Sequence, residues 1–265
     1  MNNEKLNKSH INKDKNSEMD SKEIILMRNE ASNLAKELKQ KLQMGSISNV
    51  SKEFIQLIIA GLGDERGLIR RTFVESLGVI GKPAVPALRK VLIHHSNVTV
   101  RRAAAKALRL TNDPSALPDL LQALINDKDP VVQGSAVGAM AIFGESAVKH
   151  LLKVLTNRRS TAMQCGLASW GLSFIGAEAP HALREAARSH NKKIKAAAIA
   201  ALGEQIQSLD DEIAKDLVLN ALVDSNIAVR IEATTLLGQL HEAKWAKPFL
   251  IKKLTDTNAN VRKKA

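Results

Sequence analysis

The chain of 265 residues contains no tyrosine and one cysteine, and only 3% of its residues are aromatic. A single cysteine excludes an internal disulfide and a cysteine-ligated structural metal, and it is typical of a protein from the reducing cytoplasm. The amino terminus lacks the apolar stretch of a signal peptide, and no continuous apolar run is long enough to span a membrane. We therefore expect a cytoplasmic protein whose core is packed from small aliphatic side chains.

The charge of the chain is strongly positive. There are 39 lysine and arginine residues against 27 acidic ones, which gives a net charge of +12. Residues 1–21 are polar, lack periodicity and contain equal numbers of lysines and acids, so we expect a disordered tail with no net charge. The excess must then lie on the folded part, where it favours an acidic partner or surface.

One pattern recurs along most of the chain. An aliphatic residue or methionine followed by a polar residue, as in Val100-Arg101, returns every 31 to 35 residues, with the polar member at Arg70, Arg101, Gln133, Gln164, Lys195, Arg230 and Arg262. A repeat of this length is typical of stacked helix pairs that bury their apolar faces only against neighbours. The sequence therefore predicts an all-α fold, a right-handed α-α superhelix (solenoid) of helix pairs.

The same pattern predicts the domain organisation. Residues 22–44 have amphipathic spacing and are expected to form a capping helix, and residues 22–265 a single solenoid of about six repeats, with a longer sixth. A seventh unit starts near Ala243 and stops short at Ala265, so we expect it to be truncated. Four acidic residues precede their polar marker by six positions and predict a ladder of charge-assisted hydrogen bonds between neighbouring loops, at Asp64, Asp127, Asp224 and Asp256.

The repeat also resembles a known family. Residues 100–132 read VRRAAAKALRLTNDPSALPDLLQALINDKDPVV. This run is similar to the short HEAT-type repeat of the phycobilin lyases, the cyanobacterial proteins that attach open-chain tetrapyrroles to phycobiliproteins. The resemblance covers about residues 50–265, and residues 134–201 are further similar to a lyase relative implicated in phycobilisome breakdown and chromophore removal. It implies a phycobiliprotein partner and a transiently held bilin, but supplies no invariant catalytic set.

A candidate groove follows from helix geometry, because second helices usually line the concave side of such an array. Residues 130–144 and 160–177 contain no charge, which predicts an uncharged trough of small residues. It would suit a partner helix or a flat apolar ligand with carboxylates, and the alternative is that these residues simply pack. The candidate groove residues are Arg71, Arg102, Lys106, Gly134, Gly138, Cys165, Ser169, Lys192 and Lys195, together with Lys193.

No catalytic constellation is visible in the sequence. The seven histidines show no metal-ligand spacing, and Cys165 has no histidine or acid at a recognisable interval. Trp170 and Trp245 are each interpreted as core residues, since a large aromatic on an amphipathic helix is usually buried. We therefore expect no metal and no resident cofactor, with an open-chain tetrapyrrole as the one transient ligand.

Three functions remain open at this point. The first is a protein-binding scaffold related to the phycobilin lyases, which binds phycobiliprotein or bilin during chromophore detachment or degradation. The second is a generic HEAT-repeat adaptor without chemistry. The third, a nucleic-acid-binding protein, is favoured by the charge but disfavoured by the absence of tyrosine and by the uncharged central helices.

Overall fold

The computed structural model describes residues 26–47, 50–241 and 243–265, and within these ranges the chain forms α-helices and short 3-10 turns but no strand. The predicted polar tail, residues 1–21, lies outside the described residues, as do residues 22–25 of the predicted capping helix. Helix α1 (Arg28–Gln43) buries one face, with Leu34 and Leu38 at the spacing that the sequence predicts, against the first repeat.

Seven helix pairs follow α1 in the described part of the chain. The first helices of the pairs are α2 (Lys52–Ala60), α4 (Val85–His94), α6 (Leu117–Asn126), α8 (Glu145–Thr156), α10 (Pro180–Ala187), α13 (Glu212–Ala221) and α15 (Lys247–Lys253). The second helices are α3 (Gly67–Ile80), α5 (Val98–Thr111), α7 (Pro130–Ala141), α9 (Ala162–Ile175), α11 (Lys192–Ala200), α14 (Ile227–Gln239) and α16 (Ala259–Lys264). A short additional helix, α12 (Gly203–Ser208), accounts for the longest repeat interval. The predicted all-α solenoid of helix pairs is confirmed.

The pairs are separated by backbone turns that the sequence marks. Gly81, Gly144 and Gly176 end second-helix segments with φ angles of +70°, +53° and +41°, and Asn112 takes the same left-handed role after α5 with a φ of +52°. Glycine and asparagine adopt this conformation at little cost, so these positions stop one helix and redirect the chain into the next.

One apolar core runs from Ala31 to Ala246 through all the repeats. It is built largely from alanine, leucine and valine, and Phe73 is the one aromatic side chain fully buried in the described part of the chain. The second helices of neighbouring repeats lie closer together than the first helices do, so they form the inner, concave wall of the array. Their alanines permit this close approach.

Ion pairs connect several repeats to the next one along the chain. In each pair, which we call a rung, the marker residue of one repeat binds an aspartate in the interhelix loop of the following repeat. Arg101 binds the carboxylate of Asp127 in the next loop at 2.7 and 3.1 Å, and Arg230 binds Asp256 in the same way at 3.1 Å to each oxygen. Lys195 and Asp224 form a third rung at 2.5 Å. The predicted ladder is thus confirmed for these three acids, although each acid pairs with the marker of the preceding repeat rather than with its own.

The loops of the fourth and fifth repeats lack these rungs. In every loop one side chain accepts a hydrogen bond from the backbone N–H two residues later. Aspartate holds that place in four loops and His95 in the second, but Asn157 and Ser189 hold it in the fourth and fifth. The preceding markers are also neutral: Gln164 donates backwards to the carbonyls of Leu124 and Ile125 at 3.3 and 2.9 Å. The middle of the array is therefore joined without ion pairs.

Candidate functional site: the concave face of repeats three and four

Helices α7 and α9 contain no charged residue, and each presents apolar side chains to solvent. Trp170 and Phe174 lie one turn apart on α9 and are 49% and 56% exposed, with ring centroids 5.7 Å apart and planes inclined by 39°. A contiguous exposed apolar patch on a soluble protein often marks an interaction surface. We define the trough as this exposed surface, formed by Val131, Gly134, Gly138, Met163, Leu167, Trp170 and Phe174.

The glycines of α7 form the floor of the trough. A β-carbon at Gly138 would lie 3.8 Å from the Trp170 ring, and one at Gly134 would lie 3.8 Å from Leu167. The two α9 side chains therefore lean across α7, and the missing side chains at Gly134 and Gly138 leave the aromatic surface uncovered. The structure thus brings both predicted glycines to the concave face.

Cys165 and Ser169, also predicted for the groove, are half-buried on α9 and lie apart from the helix face that carries Trp170 and Phe174. The Cys165 side chain is half-buried, with Sγ 4.0 Å from the carbonyl oxygen of Val154 on α8. The cause is the rotation of α9: Gly171 is buried so tightly that a β-carbon would lie 2.7 Å from Val137. This packing turns Cys165, and Ser169 one turn later, towards the edge of the helix.

Arg102 lies beside the trough but is engaged with another residue. Its guanidinium binds both carboxylate oxygens of Asp129, the N-cap of α7, at 2.8 and 3.1 Å. The hydrogen bond from Arg102 holds the pKa of Asp129 below its ordinary value. Arg71, further along the array, pairs in turn with Glu75 at 2.6 Å. Both arginines were predicted as groove residues, and in the structure each of them is paired with a carboxylate.

Three predicted lysines remain without an ion pair at the ends of the trough. Lys106 on α5 is exposed and forms no ion pair with any described residue, and Lys192 is exposed in the first turn of α11. Lys195, predicted for the same flank, forms the rung to Asp224. Of the predicted cations, Lys106 therefore lies on one side of the trough, and Lys192 and Lys193 lie on the other, without an ion pair to any described residue.

The interpretation of Trp170 as a core residue is wrong, and with it the sequence analysis missed the aromatic part of the trough. Two aromatic residues four positions apart lie on the same face of a helix. A surface helix without a charged residue has no charged face to turn to solvent, so it must expose apolar side chains. Those two signals together could have identified Trp170 and Phe174. Trp245 is half-buried, packing near Phe249 at 6.5 Å with the Lys215 ammonium 4.7 Å from its ring centre.

No group of three or more potential metal ligands occurs among the described residues, and no helix in that part is long and apolar enough to cross a membrane. What the trough offers chemically is an aromatic wall, a backbone floor and flanking ammonium groups. Such a surface binds and orients a ligand through stacking and charge.

The chain is similar in sequence to a repeat family and to proteins of cyanobacteria. Residues 85–168 match the family model of HEAT repeats. The bilin biosynthesis protein MpeU of Synechococcus sp. (strain WH8020) is 43% identical over 246 residues, which cover 93% of this chain and 83% of that protein. The uncharacterized phycocyanin operon protein Z of Pseudanabaena tenuis (strain PCC 7409) is 32% identical over 132 residues, covering 47% of this chain and 65% of that protein.

Among solved structures, the complex of CpcE and CpcF of phycocyanin lyase from Nostoc sp. PCC7120 shares 20% identity, with 82% of this chain and 92% of that chain covered and a TM-score of 0.39. The assignment does not depend on that likeness, since the identity to MpeU extends over nearly the whole chain. The chain belongs to the HEAT-repeat, phycobilin lyase-like family that includes MpeU.

Proposed function

We propose that this protein is a scaffold that binds an open-chain tetrapyrrole and the phycobiliprotein that carries it, with the trough as the binding surface. The observation that carries the proposal is the exposed Trp170–Phe174 pair above a glycine floor, on a chain 43% identical to a protein named for bilin biosynthesis. That name favours a role in bilin biosynthesis, whereas the resemblance of residues 134–201 favours chromophore detachment or degradation.

The chemistry of the trough matches a flat conjugated ligand. The faces of Trp170 and Phe174 provide stacking area, and Gly134 and Gly138 leave room for a planar molecule beside them. Carboxylates at the edge of such a ligand would reach Lys106 on one side or Lys192 on the other, where charge-assisted hydrogen bonds fix its orientation. Any contribution to a reaction would then come from positioning.

Tryptophan fluorescence tests this proposal directly, because the chain has two tryptophans. Trp245→Phe leaves Trp170 as the single reporter, and Trp170→Phe leaves Trp245, three repeats away, as the matched control. We expect a free bilin at micromolar concentration to quench Trp170 more strongly than Trp245, and its visible absorption to shift on binding.

A further pair of variants locates the ligand. Gly138→Glu places a carboxylate beneath the Trp170 ring, where it would repel the ligand carboxylates, and should weaken the spectral change at least tenfold. Gly238→Glu makes the same change at an exposed position of α14 and should leave the change intact. Equal quenching of both tryptophans, or an unchanged bilin spectrum, would contradict the proposal.

A further inference from the structure

Six cationic or titratable side chains project from two neighbouring loops beside the trough. They belong to the loop between α8 and α9 and to the segment from the end of α10 to the first turn of α11, which are equivalent positions in consecutive repeats. All six are exposed to solvent. We call this surface the basic ridge, and its members are Arg158, Arg159, Arg188, His190, Lys192 and Lys193.

No carboxylate lies within ion-pair distance of the basic ridge in the described part of the chain. Glu185, one turn before Arg188, forms no ion pair there, and Asp224, the acid that Lys192 affects electrostatically, is already bound by Lys195 at 2.5 Å. The arginines elsewhere on this edge of the array are satisfied, as in the rungs from Arg101 and Arg230. The ridge is therefore a concentration of unneutralised positive charge.

The ridge coincides with the interruption of the ionic ladder. Asn157 and Ser189 accept the loop hydrogen bond that Asp127, Asp224 and Asp256 accept in other repeats, so the turn itself needs only an acceptor and not a charge. Neutral residues at these two places remove the carboxylates that would neutralise the ridge. Folding gains nothing from this arrangement, because adjacent like charges repel one another.

We infer that the basic ridge is a docking surface for an acidic segment of the protein partner, adjoining the trough. A protein is favoured over a nucleic acid because the ridge continues into an uncharged surface: α11 starts at Lys192 and packs beside α9, whose first turn exposes Met163. A partner must therefore present acids next to an apolar face, which a phosphate backbone does not. The inference rests on the proposed function for the identity of that partner and specifies the electrostatic part of the contact.

The test compares association rates of the full chain with a purified phycobiliprotein and with a synthetic polyglutamate peptide, at about 50 and 500 mM salt. Arg158→Glu with Arg159→Glu, and Lys192→Glu with Lys193→Glu, reverse four ridge charges in two separate variants. Glutamate is favourable in the first turn of α11, so the second variant keeps its helix. Lys36→Glu with Lys39→Glu makes the same change of charge on exposed positions of α1 and is the matched control.

We expect each ridge variant to slow association with the phycobiliprotein at least tenfold at low salt and to flatten its salt dependence, while the control stays within about twofold of the wild type. Equal effects of ridge and control variants would overturn the inference. So would ridge-dependent binding of a duplex DNA that exceeds binding of the acidic probes. If polyglutamate binds through the ridge but the phycobiliprotein does not bind, the ridge is an acid-binding surface and the proposed function is contradicted instead.

Discussion

At the scale of single residues, glycines decide how closely second helices approach and which way they face. Gly171 on α9 is buried against Val137 and Leu151, and Gly166 on the same helix has no neighbour within 4 Å of the position that a β-carbon would take. The first glycine sets the rotation of α9 that exposes Trp170. The second is free of any such constraint.

Substituting these two glycines by alanine should therefore change stability in opposite directions. Gly171→Ala inserts a methyl group 2.7 Å from Val137 and is expected to lower the free energy of unfolding by about 1–3 kcal/mol through overpacking. Gly166→Ala should raise it by about 0.5–1 kcal/mol, because alanine favours helix. Urea unfolding measures both, and a stabilising Gly171→Ala would contradict the packing described for α9.

At the scale of elements, the repeats are joined by two kinds of bond of unequal strength. The half-buried rungs combine an ion pair with hydrogen bonds to the same carboxylate, as Asp127 accepts from Arg101 and from the backbone N–H of Asp129. The fourth and fifth loops have neutral acceptors instead. The rungs thus join repeat two to three and repeats five to seven, whereas repeats three, four and five are joined to one another by apolar packing and neutral hydrogen bonds.

Removing one rung carboxylate should cost far more than removing an exposed one. Asp127→Asn leaves the largely buried Arg101 without its charge partner and is expected to lower the free energy of unfolding by about 2–3 kcal/mol. Glu37→Gln breaks the exposed pair to Lys41 on α1 and should change it by less than about 0.5 kcal/mol. Similar urea midpoints for the two variants would show that the rungs do not hold the repeats together.

At the scale of the whole molecule, the net charge of +12 is unevenly distributed, and the stability of the fold does not explain this distribution. Carboxylates in the third, sixth and seventh loops each pair with an arginine or lysine of the preceding repeat. In the middle repeats the cations stand alone beside an uncharged trough. A protein of this design is self-repelling at its centre and complementary to an acidic surface.

The tied carboxylates predict acid sensitivity. Burial raises the pKa of Asp256, but the hydrogen bonds from Arg230 and from the Asn258 N–H outweigh it and hold the pKa below its ordinary value. Asp129 behaves likewise through Arg102. A carboxyl whose pKa is lower in the folded state stabilises the fold above its unfolded pKa and ceases to do so as the pH falls through the folded value.

We therefore expect the urea midpoint to fall steeply below about pH 4, the ordinary range of aspartate. Asp256→Asn should flatten that fall. For Glu232 the pH dependence of stability has the opposite sign, because burial raises the pKa of this carboxyl. Its contribution to stability is lost as the pH rises through the pKa of the folded state. Urea midpoints measured from neutral pH to about pH 3 check both directions, and a midpoint independent of pH in the acid range would contradict the ladder.

The periodic part of this structure could be predicted from the sequence, and the rotation of single helices could not. Spacing and turn residues determine the helix pairs, the loop acids and the uncharged helices. Whether Cys165 or Trp170 faces solvent depends on the depth to which Gly171 packs against Val137, a contact between repeats that no local pattern encodes. In the same way, the sequence does not show that Arg102 forms an ion pair with Asp129 of the next repeat.

The most direct measurement of the central claim, that the concave face of the middle repeats is the binding surface, is amide hydrogen exchange of the full chain with and without a bound phycobiliprotein. We predict added protection in residues 130–141 and 162–175 and in the two loops of the basic ridge, with the first helices α2 and α4 unchanged. Protection confined to the first helices, on the outer wall, would contradict it.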